Sequence, residues 1–414
     1  SMADDRDKLR LLADYYRIRA DKYKALGSLL QSKNTFVISG YVLERDADRV
    51  VAVLNENFSL MADVYDVPED ETAPIQLQNP KMFASAEGVL ESFGLPGKGE
   101  MDPTTPMAIF YIFLFGLMLS DAAYGLIIFL ACFILIRKFP KMENGLQKSL
   151  RLFMYCGIST LIWGILFGGF FGDLITVVSR TFFHHEVTFK PVWFAPLDDP
   201  MKLLLFSLLF GLIHLFGGLA LKGYMCLKKG DVKSFICDVL SWFMLITGLV
   251  LMLMPTELFA SIAQMQFNFP GWLKNTSYGL AIVGAAIIVL MSGRDHKNPV
   301  LRLALGLYDI YNLTGWLSDL LALGLATGVI AQVINQMGSM AGDGIFGAIV
   351  FVIVFIVGHL FNLAINMLGA YVHTCRLQYV EFFGKFYEGG GNPFRPFREN
   401  TKYVDIVSGT ETQK

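Results

Sequence analysis

Hydrophobic and polar positions change character once along this chain, near residue 104. Before that point Leu9, Leu12, Tyr16 and Tyr23 recur at roughly helical spacing within the charged stretch Asp7 to Gln31, which predicts a helix with an apolar stripe for a partner helix. Thr35-Phe36-Val37-Ile38-Ser39-Gly40-Tyr41-Val42 reads as a strand, and Asp46 to Phe58, with Val50, Val51, Val53 and Leu54, as an amphipathic helix. These elements make a small α/β module. An acidic connector punctuated by Pro68, Pro74 and Pro80 then leads to Asp102-Pro103.

Beyond that point apolar runs cover 106–136, 150–178, 201–226, 234–254, 277–292, 303–337 and 344–372, where one membrane pass needs roughly 20 residues. Arg137, Lys138, Lys141, Lys148 and Arg151 mark one connector, Lys228, Lys229 and Lys233 a second, and Arg294, Lys297 and Arg302 a third. Basic connectors stay cytoplasmic. The opening Ser1-Met2-Ala3-Asp4-Asp5 lacks the basic-then-apolar pattern of a signal peptide, so the N-terminal module is expected in the cytosol. A Ser ahead of the Met resembles a cloning remnant, and the chain is expected to begin partway through a longer protein. For the connectors to alternate correctly, the run 106–136 must cross twice. At ~1.5 Å per residue it is about 46 Å long, enough for two short or tilted half-helices broken near Ser120-Asp121. About eight passes with both termini cytoplasmic follow; one long tilted helix with an external N-terminus is the alternative. Trp193 and Trp272, in connectors poor in basic residues, are then expected at the outer face.

Composition agrees with this pattern: 54% of residues are hydrophobic and the mean hydropathy is +0.49, well above an ordinary soluble domain. The fold class expected is an all-α polytopic membrane protein, its last two helices long and tilted, with the small N-terminal α/β cytosolic module. Residues 1–104 form the cytosolic helix, module and linker, 105–386 the transmembrane domain, and 387–414 a cytoplasmic tail. A net charge of −2, with no long Lys/Arg run, sets nucleic acid aside. Cys132, Cys156, Cys226, Cys237 and Cys375 show no C-x-x-C spacing and lie mostly within or beside apolar helices. Neither disulfides nor a metal site is expected.

Candidate chemistry concentrates in the last apolar run. With Asn366 at zero and ~100° per residue, His359 falls at about +20°, Asn362 at −40°, His373 at −20° and Arg376 at −80°. Such a stripe faces protein or a water-filled path, because a charged group facing lipid costs several kcal/mol. It reads either as the wall of a half-channel or as polar glue between helices with Arg376 snorkelling to the interface. Asp121 is the second candidate, either on an ion path or capping the break between half-helices. Asp173 and His214 read as packing or interface residues. His184-His185 has no further ligand at metal spacing. Gly94-Leu95-Pro96-Gly97-Lys98-Gly99 brushes a phosphate-loop pattern, but Ser92 stands where the first glycine belongs and no Ser or Thr follows the Lys. No catalytic signature and no cofactor site is expected.

Several segments resemble one family, the membrane-embedded stator subunit of V-type and archaeal/bacterial A-type rotary ATPases, called subunit a or I. They are Asp102-Pro103-Thr104 leading into Leu119-Ser120-Asp121-Ala122-Ala123-Tyr124-Gly125, then Leu166-Phe167-Gly168-Gly169-Phe170-Phe171-Gly172-Asp173 and Gly211-Leu212-Ile213-His214. Further along come Gly306-Leu307-Tyr308, Leu313-Thr314-Gly315, Ala322-Leu323-Gly324-Leu325-Ala326-Thr327-Gly328, His373 through Phe383, and Lys385-Phe386-Tyr387-Glu388-Gly389-Gly390-Gly391. The module ending in Gly40-Tyr41-Val42 looks like the membrane-proximal end of the family's cytosolic arm.

The resemblance implies a subunit without catalysis of its own. It would form proton or sodium half-channels against a rotor ring of proteolipid (c/K) subunits, beside peripheral-stalk subunits of E/G type and a central-stalk subunit of d/C type, in a bacterial plasma membrane. It carries over Arg376, as the family's second arginine, with His373 and Gln378; together with the stripe and the acid of the first run, the expected ion-translocation residues are these three, with Asn366, His359 and Asp121 behind them. The family's first arginine sits in a segment reading roughly Asp-x-Leu-Ser-Tyr-x-Arg-Leu-Leu-Ala-Leu-Gly. Here Gly315-Trp316-Leu317-Ser318-Asp319 runs directly into Leu320-Leu321-Ala322-Leu323-Gly324, so about six residues, the arginine among them, have no counterpart. A stator scaffold that conducts nothing is therefore one alternative. The other is a secondary transporter, which predicts two related halves; no convincing internal repeat appears.

Overall fold

The structure, a computed structural model, describes residues 2–27, 29–33, 35–68, 71–97, 99–183, 190–196, 200–257, 259–260, 267–291, 333–337, 345–396 and 401–404. It divides into two compact units, Ser1–Gln76 with Gly391–Lys414, and Leu77–Gly390. The junction Asp319-Leu320, the basic connector 294–302, His184-His185 and most of the run 303–337 lie outside the described residues.

In the first unit, α1 (Met2–Gly27) is followed by β1 (Leu30–Gln31) and β2 (Phe36–Val37), an antiparallel pair with Leu30 opposite Val37. The strand expected over 35–42 shrinks to two residues. Phe36, Val37 and Ile38 are all exposed, and a longer strand forms only where a sheet face has something to bury against. α2 (Glu44–Asn57) forms where its apolar period places it, yet none of its residues is buried. β3 (Pro74–Ile75) pairs in parallel with β4 (Asn392–Pro393), and the Phe394 N–H donates to the Ile75 carbonyl at 2.9 Å. The tail then returns to α1, where Asp14 accepts the backbone N–H groups of Lys402, Tyr403 and Val404 at 2.6–3.1 Å. Burial pushes the Asp14 carboxyl up, but these three N–H donors, with Arg17 nearby, outweigh it and hold it below its ordinary value of 3.8.

The second unit opens with a short helix, α3 (Glu87–Phe93), whose Glu87 carboxylate meets the Lys148 ammonium at 2.6 Å. Glu100 accepts N–H groups from Gly97, Glu388 and Gly389 at 2.6–3.2 Å, so the glycine-rich turn grips the chain's own C-terminal bend. Asp102 accepts the Thr104 N–H at 2.9 Å and starts α4 (Thr104–Leu119). The break expected near Ser120-Asp121 is present: Ser120 takes a left-handed conformation (φ +34°) and α5 (Ala122–Lys138) begins with Asp121 as its N-cap. Each half-helix rises about 25 Å, close to the thickness of a hydrocarbon core.

The unit continues with α6 (Asn144–Phe167), α7 (Leu174–Phe183), α8 (Pro200–Lys228), α9 (Val232–Leu253), α10 (Gly271–Met291) and α11 (Ile345–Arg376), which runs on through a π-helical turn at Leu377–Phe382. Five helical stretches among the described residues are long and apolar enough to cross a membrane: 144–167, 205–228, 232–253, 271–291 and 349–385, with the shorter apolar α4 beside them. The architecture is the expected all-α one. α5 and α6 run antiparallel in close contact: a Cβ on Gly157 would stand 2.8 Å from the Phe129 nitrogen, and one on Gly164 would collide with Ala122. Small residues supply this contact in lipid, where apolar burial between helices gains little. The main core joins Tyr111, Phe115 and Met118 of α4 with Cys156 of α6 and with Ala370, Cys375, Leu377 and Phe382 at the end of α11.

Candidate functional site

Asp121 sits at the joint between α4 and α5, and its place explains its residue type. One carboxylate oxygen accepts N–H groups from Ala123 at 3.0 Å and from Tyr124 and Phe171 at 3.2 Å; the other accepts from Gly172 at 2.9 Å. A short side chain with two accepting oxygens is required to satisfy a helix N-terminus and a neighbouring loop together. The loop follows α6, and Phe171 is left-handed in it (φ +49°). Held so, Phe171 offers its carbonyl to the Asn335 Nδ2 at 2.7 Å, while Asp173 receives the same amide at 2.9 Å.

From Asn335 the hydrogen bonds continue into α11. The Asn335 Oδ1 meets the His359 Nε2 at 2.9 Å, and the His359 Nδ1 meets the Tyr124 hydroxyl at 2.6 Å. The Asn362 Nδ2 donates to that hydroxyl at 2.8 Å, and one turn on the Asn366 Nδ2 donates to the Asn362 carbonyl oxygen at 2.9 Å and to its Oδ1. The ring of His359 is wedged against Phe355 and Phe171, with centroids 4.4 and 5.0 Å away. His359 and Asn362 are only 3% and 1% exposed.

The polar stripe on α11 is therefore two things in sequence. Its first half, His359 and Asn362, faces α5 through Tyr124. Farther along, the buried side of α11 turns toward α4: Thr374 donates to the Met118 sulfur at 3.3 Å and Cys375 lies 3.8 Å from the Tyr111 hydroxyl. Because the stripe stays straight while the buried side drifts, Asn366 is half-buried and His373 and Arg376 emerge exposed. Gln378 leaves the stripe. Within the π-helical turn it is fully buried, its Oε1 3.3 Å from the Nε2 of His214 on α8, which stacks on Phe382. The structure thus separates Gln378 from His373 and Arg376.

Sequence reasoning passed over Tyr124 and Asn335 and set Asp173 and His214 aside as packing residues. A lone Asn in an apolar run and a Tyr three residues after a cap were the available signals. Neither says which helix it meets.

A family model for the V-type ATPase 116kDa subunit family matches residues 11–182 and 319–399, more than half of the chain and the whole of this network. The chain belongs to that family. A-type ATP synthase subunit I of Pyrococcus horikoshii is 33% identical over 398 residues, 93% of this chain and 57% of that protein. The subunit I of Methanocaldococcus jannaschii is 32% identical over 426 residues, 94% and 58% of the two chains. V-type ATP synthase subunit I of Chlamydia pneumoniae is 22% identical over 453 residues, 95% and 65%. The chain spans less than two thirds of the length of these relatives. Membership in the V-type ATPase 116kDa subunit family, with five apolar helices of spanning length among the described residues, makes this an integral membrane protein. His214, in contrast to the network residues, lies in the stretch the family model leaves unmatched.

Proposed function

We propose that this chain is the membrane stator subunit of a rotary V/A-type ATPase and lines a half-channel for protons or sodium ions against a rotor ring of proteolipid subunits. The observation that carries this reading is the course of the α11 stripe, from a buried hydrogen-bonded network to an exposed His373 and Arg376. An arginine cannot be deprotonated, so beside a passing ring carboxylate it favours release of the bound ion and blocks a leak. Exposed apolar residues, Ile353, Ile356, Val357, Leu360 and Phe361, cover the face of α11 opposite the stripe and suit lipid or a rotating apolar partner. The chain itself catalyses nothing in this reading. The soluble unit and both termini lie in the cytoplasm of a bacterial plasma membrane, where peripheral- and central-stalk subunits would meet the arm. α4 and α5 cross as a pair of half-helices, which gives eight passes.

Replacing Arg376 by Ala in the assembled complex is expected to abolish ATP-driven ion uptake into vesicles while ATP hydrolysis persists. Unchanged uptake would assign Arg376 to interface snorkelling. One observation favours a second reading, a scaffold that conducts nothing: the direct junction of Asp319 with Leu320, which omits the resembled family's first arginine. Mass and peptide sequencing of the purified polypeptide across Trp316 to Gly324 separates the two. Extra residues containing an arginine restore the half-channel, and an uninterrupted Asp319-Leu320 bond favours the scaffold.

A further inference from the structure

We infer that His214 is a positioning residue for Arg376, acting through Gln378 and the π-helical turn that carries it; the inference rests on the half-channel reading. Gln378 follows Arg376 by two residues and Thr374 precedes it by two, so at ~100° per residue both lie nearly opposite Arg376 on the helix. What these two residues touch therefore decides which way Arg376 faces. Thr374 donates to the Met118 sulfur on α4 at 3.3 Å, and the Gln378 Oε1 meets the Nε2 of His214 on α8 at 3.3 Å. An amide oxygen can only accept, so the His214 Nε2 carries the hydrogen. With its back fixed to α4 and α8, the helix presents Arg376 on its exposed side.

His214 is itself held. Its ring stacks on Phe382, with centroids 5.1 Å apart and planes 10° from parallel, and meets Phe110 of α4 edge-on at 4.8 Å. Gly217 and Gly218 let α8 approach: a Cβ on Gly218 would stand 3.3 Å from the Phe382 carbonyl oxygen, and one on Gly217 3.0 Å from the Phe110 ring. Past Gln378, the Tyr379 hydroxyl donates to the Val89 carbonyl at 2.8 Å, and Phe382 and Phe383 are fully buried. The far end of α11 is thus anchored against rotation.

Between that anchor and Arg376 lies the π-helical turn, Leu377–Phe382. Such a turn closes from residue i to i+5 and so takes up one residue more than an α-helical turn. Relaxing it to α-helix would rotate its two sides relative to each other by about 100°. With the far end fixed, that rotation falls on Arg376 and carries it off the exposed side. Gln378 lies within the turn, and its bond ties the turn to a spanning helix. Stability alone does not call for this polar pair. Gln378 is fully buried and its Nε2 has no hydrogen-bond partner among the described residues, which is costly, whereas apolar side chains at both places would cost little.

The test uses the complete ATPase complex in proteoliposomes, energised with ATP, with uptake followed by a pH-sensitive dye and by radiolabelled sodium. The quantity read is ions taken up per ATP hydrolysed in complexes that co-purify intact, a ratio that mere loss of assembly does not move. His214→Leu and Gln378→Leu are each expected to lower it by about tenfold or more. The double variant is expected to lose no more than either single one, because the two act as a pair. His214→Gln, whose amide places an N–H where the ring Nε2–H stood, is expected to keep the wild-type ratio. The double variant strands no polar group and decides alone where a single one does not assemble. A wild-type ratio in the leucine variants, losses that add in the double, or a loss in His214→Gln equal to that in His214→Leu would each overturn the inference. Those results leave the half-channel reading standing as long as Arg376→Ala loses uptake. Undiminished uptake in Arg376→Ala would overturn both.

Discussion

Two carboxylates in this chain do similar work in different surroundings. Asp121 satisfies four backbone N–H groups at once, and each donor stranded in a buried site costs about 1–3 kcal/mol. Asp121→Ala is therefore expected to lower stability by about 3 kcal/mol, read from unfolding of the detergent-solubilised protein, with a smaller loss for Asp121→Asn, which keeps one acceptor. Asp14 holds three N–H groups of the tail, and its folded pKa lies below the unfolded value of 3.8. A depressed acid stabilises the fold above its unfolded pKa and loses that contribution as pH falls through the folded one. The contact between 401–404 and α1 is thus expected to persist at neutral pH and to open in acid, below pH 3.8. Amide hydrogen exchange at Lys402, Tyr403 and Val404 checks this, and Asp14→Asn should show rapid exchange there already at neutral pH. The cap at Asp121 was legible in the sequence as one of two readings, beside a place on an ion path, since an acid next to Ser120 within an apolar run can close a helix start. Its bonds to Phe171 and Gly172, fifty residues away, were not, because nothing local in the chain records which loop folds back.

Among the elements, the α5–α6 pair depends most on the absence of side chains. Gly157 meets the Phe129 backbone at 2.8 Å, and Gly164 has no room for a Cβ against Ala122. Gly157→Val is expected to cost about 1–3 kcal/mol by overpacking. Steric-trap or detergent unfolding reads this loss. α9 and α10 repeat the device, with Gly284 against Leu245 and Gly248 against Ala281. Most apolar runs corresponded to helices within a few residues, because a run of that length has few other ways to satisfy its backbone in lipid. The strand at 35–42 did not materialise at its full length. A period of two selects a strand only if another strand and a buried face are supplied, and among the described residues only Leu30–Gln31 pairs with it.

For the molecule as a whole, surface chemistry should divide along the spanning helices. Ile282 on α10 is 67% exposed and Ser277 only 1%. A cysteine at Ile282 is expected to react with a lipid-dissolved carbene probe and not with an aqueous maleimide, and one at Ser277 with neither; aqueous labelling at Ile282 would remove α10 from the bilayer. The sequence by itself determined that the chain is helical and membrane-spanning, where its first half-helices break, and that polar residues gather on the last helix, because these follow from local composition and helical period. Only the tertiary structure decided which of those residues act together. The buried side of α11 drifts from α5 to α4 along its length. That drift divides one straight stripe into a sealed network around His359 and an exposed pair, His373 and Arg376, and the π-helical turn beyond carries Gln378 inward to His214. Crossing angles and turns of this kind depend on contacts between distant segments, which no helical wheel contains.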